Sequence, residues 1–264
     1  MSEEPEIPTP PGRVALITGS GSKRVGYHIA KHLARRGWRI AIHFRTSGES
    51  ATENVEELRQ SGTEAERFQA DLTREDEVAK LIEQVHGRFG SLDAAVNAAA
   101  IWKTVPLEEL SADDLLRSFR VNTLGTFLVC RYAGLKMVEQ RTGGAVVTFG
   151  DALIEHPYLD HAAYFVSKGA IPTLTRSLAV EFAARNPAVR VNSIAPGPIL
   201  TPPGMSDEEQ EVRRESTLVK QADSPDAVAQ AVEFLLENRM LTGCTLSLDG
   251  GRNVGQEHRA RGGA

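Results

Sequence analysis

Residues 13–44, RVALITGSGSKRVGYHIAKHLARRGWRIAIHF, decide how the rest of the chain reads. Residues 13–18 are a short apolar run that suits a buried strand. The run breaks into Gly19-Ser20-Gly21-Ser22-Lys23-Arg24-Val25-Gly26, and residues 27–36 then follow a helical period. Residues 39–44 are a second apolar run. Strand, glycine-rich turn, helix and strand form the context that a phosphate-binding turn requires. Glycines let the backbone approach a pyrophosphate, and the helix N-terminus offers free N–H groups and a favourable dipole. The spacing is not plain GxGxxG, so an ordinary tight strand–helix turn is the competing reading.

The second strand ends in His43-Phe44-Arg45-Thr46-Ser47. A site for NAD places an acid near this point to hold the ribose hydroxyls, yet no acid occurs before Glu49. A guanidinium with two hydroxyls suits a 2′-phosphate instead. NADPH (or NADP) is therefore expected over NADH, the alternative being a merely solvated Arg45.

Alternation continues along the chain. Residues 49–61 read as an amphipathic helix and 64–69 as a third strand, followed by Ala70, Asp71 and Leu72. A helix is expected over 73–89, with Thr73 and Asp76 placed for a capping arrangement. A fourth strand over 92–96 ends at Asn97-Ala98-Ala99-Ala100, where small residues let a cofactor lie close. Trp102 follows, either as a packed aromatic or as a flat wall for a planar substrate. Residues 111–140 read as one long helix, with Ser111 as N-cap and Asn122 on a buried face. A fifth strand over 144–149 leads into Asp151.

The helix that follows, running to about 184, carries Tyr164 and Lys168 one turn apart on one face. A tyrosine has an ordinary pKa of about 10, and a nearby ammonium lowers it. Such a pair can exchange a proton with an atom being reduced or oxidised. A sixth strand over 189–194 ends in Ala195-Pro196-Gly197-Pro198. Residues 201–217 are polar and are expected to form a mobile segment over the site. A helix over 225–237 and a strand over 245–248 close on Asp249-Gly250-Gly251.

Seven strands alternate with helices and no linker intervenes. This predicts an α/β fold: one doubly wound, mainly parallel sheet with helices on both faces, a single domain over 13–254. Such sheets bind ligands beyond the carboxyl ends of their strands. The glycine turn, Arg45, Asp71, Asn97, Trp102, Asp151 and Pro196-Gly197 all follow strand ends and should meet on one rim.

Composition narrows the class. The chain has 264 residues, and its net charge of −5 argues against a nucleic-acid surface. No apolar run reaches about 18 residues, so no membrane-spanning helix is expected. The start, MSEEPEIPTPPG (1–12), lacks the basic and apolar regions of a signal peptide and reads as a disordered lead-in. Residues 255–264 read as a flexible tail. Cys130 and Cys244 suit reduced, packed thiols in a cytoplasmic protein. No metal site is expected, and His156 and His161 are placed on a surface loop.

The ordered set of motifs resembles the short-chain dehydrogenase/reductase family over residues 13–254. Thr18-Gly19 through Gly26, Asn97 to Ala100, Asn122, Tyr164 with Lys168, Pro196-Gly197 and Asp249 to Gly251 stand in the family's order. The resemblance implies a Rossmann-like catalytic domain and a homotetramer. It implies that Tyr164 is the proton donor. Lys168 would bind the nicotinamide ribose and lower the tyrosine pKa, and Asn122 would support a water that relays protons to the lysine. Pro196, Gly197 and Ile199 would lie against the nicotinamide. The remaining cofactor contacts would come from Gly19, Lys23, Arg24, Val25, His43, Arg45, Thr46, Ser47, Asp71, Leu72, Asn97 and Ala98.

Three positions depart from the family's pattern. Asp151 replaces the serine thirteen residues before the tyrosine. The turn is one residue longer, with Arg24 in effect for its middle glycine. Asn97-Ala98-Ala99-Ala100 lacks the second Asn and the Gly of NNAG. The first two resemble the pteridine reductase branch, in which Trp102 would stack the pterin and Arg24 would approach both phosphate and pterin. A carboxylate can accept hydrogen bonds from an amino-pyrimidine edge. The expected function is thus NADPH-dependent reduction of a pterin-like small molecule at Arg24, Trp102, Asp151 and Tyr164. The alternative is a general short-chain carbonyl or hydroxyl oxidoreductase.

Overall fold

The computed structural model describes residues 12–200, 204–222 and 224–254. Seven parallel strands form one sheet in the order β3-β2-β1-β4-β5-β6-β7. They are β1 (Val14–Ile17), β2 (Arg39–Phe44), β3 (Ala65–Gln69), β4 (Ala94–Val96), β5 (Gly144–Phe149), β6 (Val189–Pro196) and β7 (Thr245–Leu248). Both faces are covered by helices α1 (Val25–Arg35), α2 (Gly48–Gln60), α3 (Glu75–Phe89), α4 (Ala112–Ser118), α5 (Gly125–Glu139), α6 (Ala162–Ala183), α7 (Asp207–Glu215) and α8 (Pro225–Glu237).

The period of two along β1 separates two cores. Ala15 and Ile17 face Ile29 and Leu33 of α1 and Val228, Val232 and Leu235 of α8. Val14 and Leu16 face Leu81 and Val85 of α3, Val129 and Met137 of α5, and Phe182 of α6. Each large side chain buried this way contributes roughly 1.5–3 kcal/mol. A continuous apolar run such as VALI is what a strand covered on both faces demands. Arg190 of β6 secures the last crossover, giving hydrogen bonds to the carbonyls of Leu235, Leu236, Asn238 and Leu241 around the end of α8. A cation is favourable at that end of a helix.

Several local expectations are corrected. Residues 111–140 form α4, a π-helical segment Phe119–Leu124 and α5, not one regular helix. The expected Ser111 cap is present, as a capping box with Asp114. Thr73 does not cap α3, whose N-cap is Arg74. The Thr73 N–H and hydroxyl both donate to Asp71 Oδ1, which draws Thr73 out of the helix. The fourth strand is shorter than read, because Val14 N–H donates to the Asp93 carboxylate ahead of the ladder. Within 201–217, residues 207–215 form α7 behind a capping box of Ser206 and Glu209, while 201–203 lie outside the described residues. The tail at 255–264 and, apart from Gly12, the lead-in at 1–12 also lie outside them.

Candidate active site

All strands point one way, so the loops after their carboxyl ends share one rim. At β1 the turn begins with Gly19 in the left-handed region, at φ +67°. A Cβ there would stand 2.8 Å from Ala99 Cα, so only glycine serves both the backbone and the close approach. Asn54 fixes the turn by donating to the carbonyls of Ser20 and Gly21 at 3.1 and 3.2 Å. Thr18 Oγ1 accepts the Ala99 N–H at 3.1 Å and joins the turn to the segment after β4. No side chain caps α1, whose N-cap is Arg24. The Tyr27 and His28 N–H groups turn back onto the Arg24 carbonyl at 2.9 and 3.2 Å, which leaves the Val25 and Gly26 N–H groups at the start of the helix for an anion.

His43 lies beneath the glycine turn and not on the rim. It is only 2% exposed, its Nδ1 accepting the Gly19 N–H at 3.2 Å. That acceptance fixes the tautomer, so Nε2 donates to the Ala70 carbonyl at 3.1 Å. Burial pulls its pKa down to about 4, against the Ala70 hydrogen bond and the Asp71 charge. His43 is a neutral brace. Leu72 is likewise in the core. Lys23 pairs with Glu57 at 3.4 Å. Val25 and Ala98 are partly buried against the sheet, and Asn97 is buried, donating to Cys130 Sγ at 3.4 Å.

Arg45 and Thr46 are exposed after β2. Ser47 Oγ would be 2.7 Å from a Cβ on Gly21, which puts it against the turn. Burial raises the Asp71 pKa, but hydrogen bonds from Thr73 and the charges of Arg45 and Arg74 outweigh it and hold the carboxyl low. The left-handed Gly19, the uncapped start of α1 and the basic, hydroxyl-bearing group after β2 fit a phosphate-bearing dinucleotide.

Tyr164 and Lys168 are both buried on α6. The Tyr164 hydroxyl donates to Asp151 Oδ2 at 2.7 Å. Asp151 Oδ1 accepts the Leu153 N–H at 2.8 Å, which aims the carboxylate. Lys168 Nζ donates to the Phe149 carbonyl at 2.8 Å. Burial, followed by the Asp151 charge and hydrogen bond, pushes the tyrosine pKa up. Burial pulls the lysine down to about 8, with the Asp151 charge opposing. The expectation that Lys168 lowers the tyrosine pKa is thus corrected: the ammonium serves a backbone carbonyl, and the carboxylate dominates the phenol. A phenol held protonated beside an oriented carboxylate is suited to giving a proton.

Asn122 is fully buried, as read, but its amide is taken. Oδ1 accepts the Ile101 N–H at 2.8 Å, and Nδ2 donates to Ile101 O and Ser167 Oγ at 3.0 and 2.9 Å. Its backbone carbonyl accepts the Thr126 hydroxyl at 2.7 Å. Its place in the π-helical segment makes it a clamp on the residue before Trp102.

Trp102 is 54% exposed. Its ring lies 4.6 Å from that of His161 at 29°, and its N–H donates to the Tyr158 hydroxyl at 2.9 Å. His161, expected on the surface, is only 6% exposed. Trp102 covers it and Thr104 Oγ1 bonds its Nε2 at 3.1 Å. Tyr158 was not among the sequence candidates. It lies in the loop before α6, where no helical spacing marks it. Pro196 O accepts the Ala152 N–H at 3.1 Å, so Pro196 and Gly197 border the Asp151 loop. Ile199 packs on the core beside them. Gly197 is needed because a Cβ would meet Asp249 Cα at 2.8 Å. Arg24 stands exposed at the start of α1. Among the described residues no cluster of three His, Cys, Asp or Glu could hold a metal ion, and no helix is long and apolar enough to cross a membrane.

A family model described as enoyl-(acyl carrier protein) reductase matches residues 21–253. The chain is 31% identical over 250 residues to glucose 1-dehydrogenase 2 of Bacillus subtilis, covering 92% of this chain and 95% of the relative. It is 32% identical over 257 residues to the versicolorin reductase of Emericella nidulans, covering 91% and 95%. It is 35% identical over 239 residues to carbonyl reductase family member 4 of Danio rerio, covering 90% and 97%. Its fold matches the crystal structure of acetoin dehydrogenase from Enterobacter cloacae with a TM-score of 0.83 at 31% identity, covering 93% and 97%.

Proposed function

The chain belongs to the short-chain dehydrogenase/reductase family, and from that premise we propose that it is an NADP(H)-dependent reductase of a carbonyl group carried on a flat ring system. The observation that carries this reading is the 2.7 Å bond from Tyr164 to Asp151. It keeps the phenol protonated, the state that a reduction consumes. A bound dihydronicotinamide supplies the hydride. Tyr164 gives its proton to the substrate oxygen, Asp151 orients the phenol, and Lys168 lies one turn behind it. Arg45, Thr46 and Ser47 hold the 2′-phosphate, and the N-terminus of α1 takes the pyrophosphate. The names of the versicolorin and carbonyl reductases support a carbonyl substrate. Exposed Trp102 supports a planar one.

A second reading is reduction of a pteridine C=N bond. It is favoured by one observation, the carboxylate of Asp151 where a carbonyl reductase needs only a hydroxyl. The relatives' names favour the carbonyl reading over it. Self-association into a tetramer is supported by Leu115, Leu116, Phe119 and Val166, exposed on α4, the π-helical segment and α6. A panel of flat cyclic ketones, acyclic ketones and a dihydropterin, each with NADPH and NADH, tests the proposal. Turnover of flat cyclic ketones with NADPH is expected. Turnover of the dihydropterin alone overturns the carbonyl reading.

A further inference from the structure

Tyr158 is held on three sides. His161 meets its ring edge-on at 4.7 Å and Phe165 does so at 4.9 Å. Its oxygen accepts the Trp102 N–H at 2.9 Å. An indole nitrogen only donates, so the hydrogen of the Tyr158 hydroxyl points elsewhere. Among the described residues it has no acceptor, and the residue is 39% exposed. Burial pushes the phenol's pKa up, with the Trp102 bond opposing and the Asp151 charge adding, so the proton stays on. Phe165, which Tyr158 meets edge-on, also packs on Tyr164 at 5.3 Å, which places Tyr158 one ring away from the proton-donating pair.

Trp102 is equally fixed. Asn122 grips Ile101 by two hydrogen bonds, and His161 covers one face of the indole. Val105 N–H donates to Asp160 O at 2.8 Å, which ties the two loops together. Asp160 itself sits in the left-handed region, at φ +62°. That backbone is unfavourable for a residue with a Cβ, and the surrounding bonds hold it.

We infer that Tyr158 is a specificity-determining residue, its hydroxyl donating to a second oxygen on a flat substrate whose ring lies on the open face of Trp102. His161 is the positioning residue that keeps both aromatics in place. The inference rests on the flat-ring reading above. It narrows the substrate to a planar ring that bears an oxygen acceptor apart from the reacting carbonyl.

Trp38 and Trp102 are the two tryptophans, so a Trp38→Phe background reports fluorescence from Trp102 alone. That protein, saturated with NADP, is titrated with α-tetralone and with an α-tetralone hydroxylated on the ring remote from its carbonyl. Both are expected to quench, the hydroxylated ring binding about five- to tenfold tighter, the effect of one hydrogen bond. Adding Tyr158→Phe should erase that ratio and leave α-tetralone within about twofold. His161→Ala should weaken both rings and lower the fluorescence anisotropy of Trp102. A ratio that survives Tyr158→Phe, or rings that do not quench, overturns the inference. Rings that bind with the expected ratio but are not reduced by NADPH leave it standing and overturn the carbonyl reading instead.

Discussion

The Tyr164 hydroxyl donates a 2.7 Å hydrogen bond to Asp151, and the carboxylate opposes the phenol's loss of its proton. Burial and the carboxylate both raise the tyrosine pKa, so the protonated phenol persists through neutral pH. Asp151→Asn removes the negative charge and lets the phenol ionise at lower pH. Its NADP-dependent oxidation of a secondary alcohol should rise at least about tenfold near pH 9, since one unit of pKa is a tenfold change in base fraction. The pH profile of that oxidation checks it; a profile superimposable on wild type counts against the role given to Asp151.

Lys168 sets activity against stability. Its pKa of about 8 lies below its ordinary 10.5 because burial disfavours the charge. Between those values the unfolded chain binds more protons, so this residue makes stability rise with pH from about 8 to 10.5 and withholds that contribution below 8. Lys168→Met should lose this slope and, at pH 7, unfold within about 1 kcal/mol of wild type or above it, because relief of the buried charge offsets the loss of one charge-assisted hydrogen bond. Its kcat should fall by about a hundredfold or more. Urea unfolding at pH 7 and pH 10, with steady-state kinetics, separates the two effects.

His43 gives the opposite end of the pH range a signature. Its pKa falls from 6.5 to about 4 on burial. The unfolded chain therefore takes up the proton first, and stability is lost as pH drops from 6.5 toward 4. The loss can reach about 3 kcal/mol. His43→Asn should flatten that limb and raise the KM for dinucleotide through a loosened Gly19 turn, with kcat little changed. Unfolding midpoints across that range test the first expectation and cofactor titration the second.

We propose Arg45 as the discriminator between dinucleotides. Arg45→Asp should lower the NADPH-to-NADH ratio of kcat/KM by about ten- to a hundredfold, the value of losing a charge-assisted bond to phosphate. An unchanged ratio would return Arg45 to the role of a solvated surface residue.

The sheet was legible because its strands are short apolar runs between glycine-rich and small-residue turns, and the order of these runs dictated a single rim. Tyr164 and Lys168 were legible because helix spacing alone brings them together, and Asp151 only through the family resemblance. What escaped depends on contacts between distant segments. His161 sits among Pro157, Asp160 and other loop residues and reads as solvated; Trp102 and Thr104, from another loop, help to bury it. His43 is polar within an apolar strand, and its role is visible only once Gly19 is placed above it. The π-helical segment at Asn122 has no local signature, since Phe-Arg-Val-Asn-Thr-Leu suits a regular helix equally well. Asn122 is buried as expected, and its amide bonds the backbone of Ile101 and the hydroxyl of Ser167, partners that lie far from it in sequence.

Steady-state oxidation of NADPH in the presence of a flat cyclic ketone, by wild type and by Tyr164→Phe, tests the central claim most directly. The wild type should turn the ketone over. Tyr164→Phe should be slower by about a hundred- to ten-thousandfold, the usual worth of a positioned proton donor, with NADPH affinity unchanged. A Tyr164→Phe enzyme that keeps the wild-type rate, or a wild type inert to every ketone tried, contradicts the account.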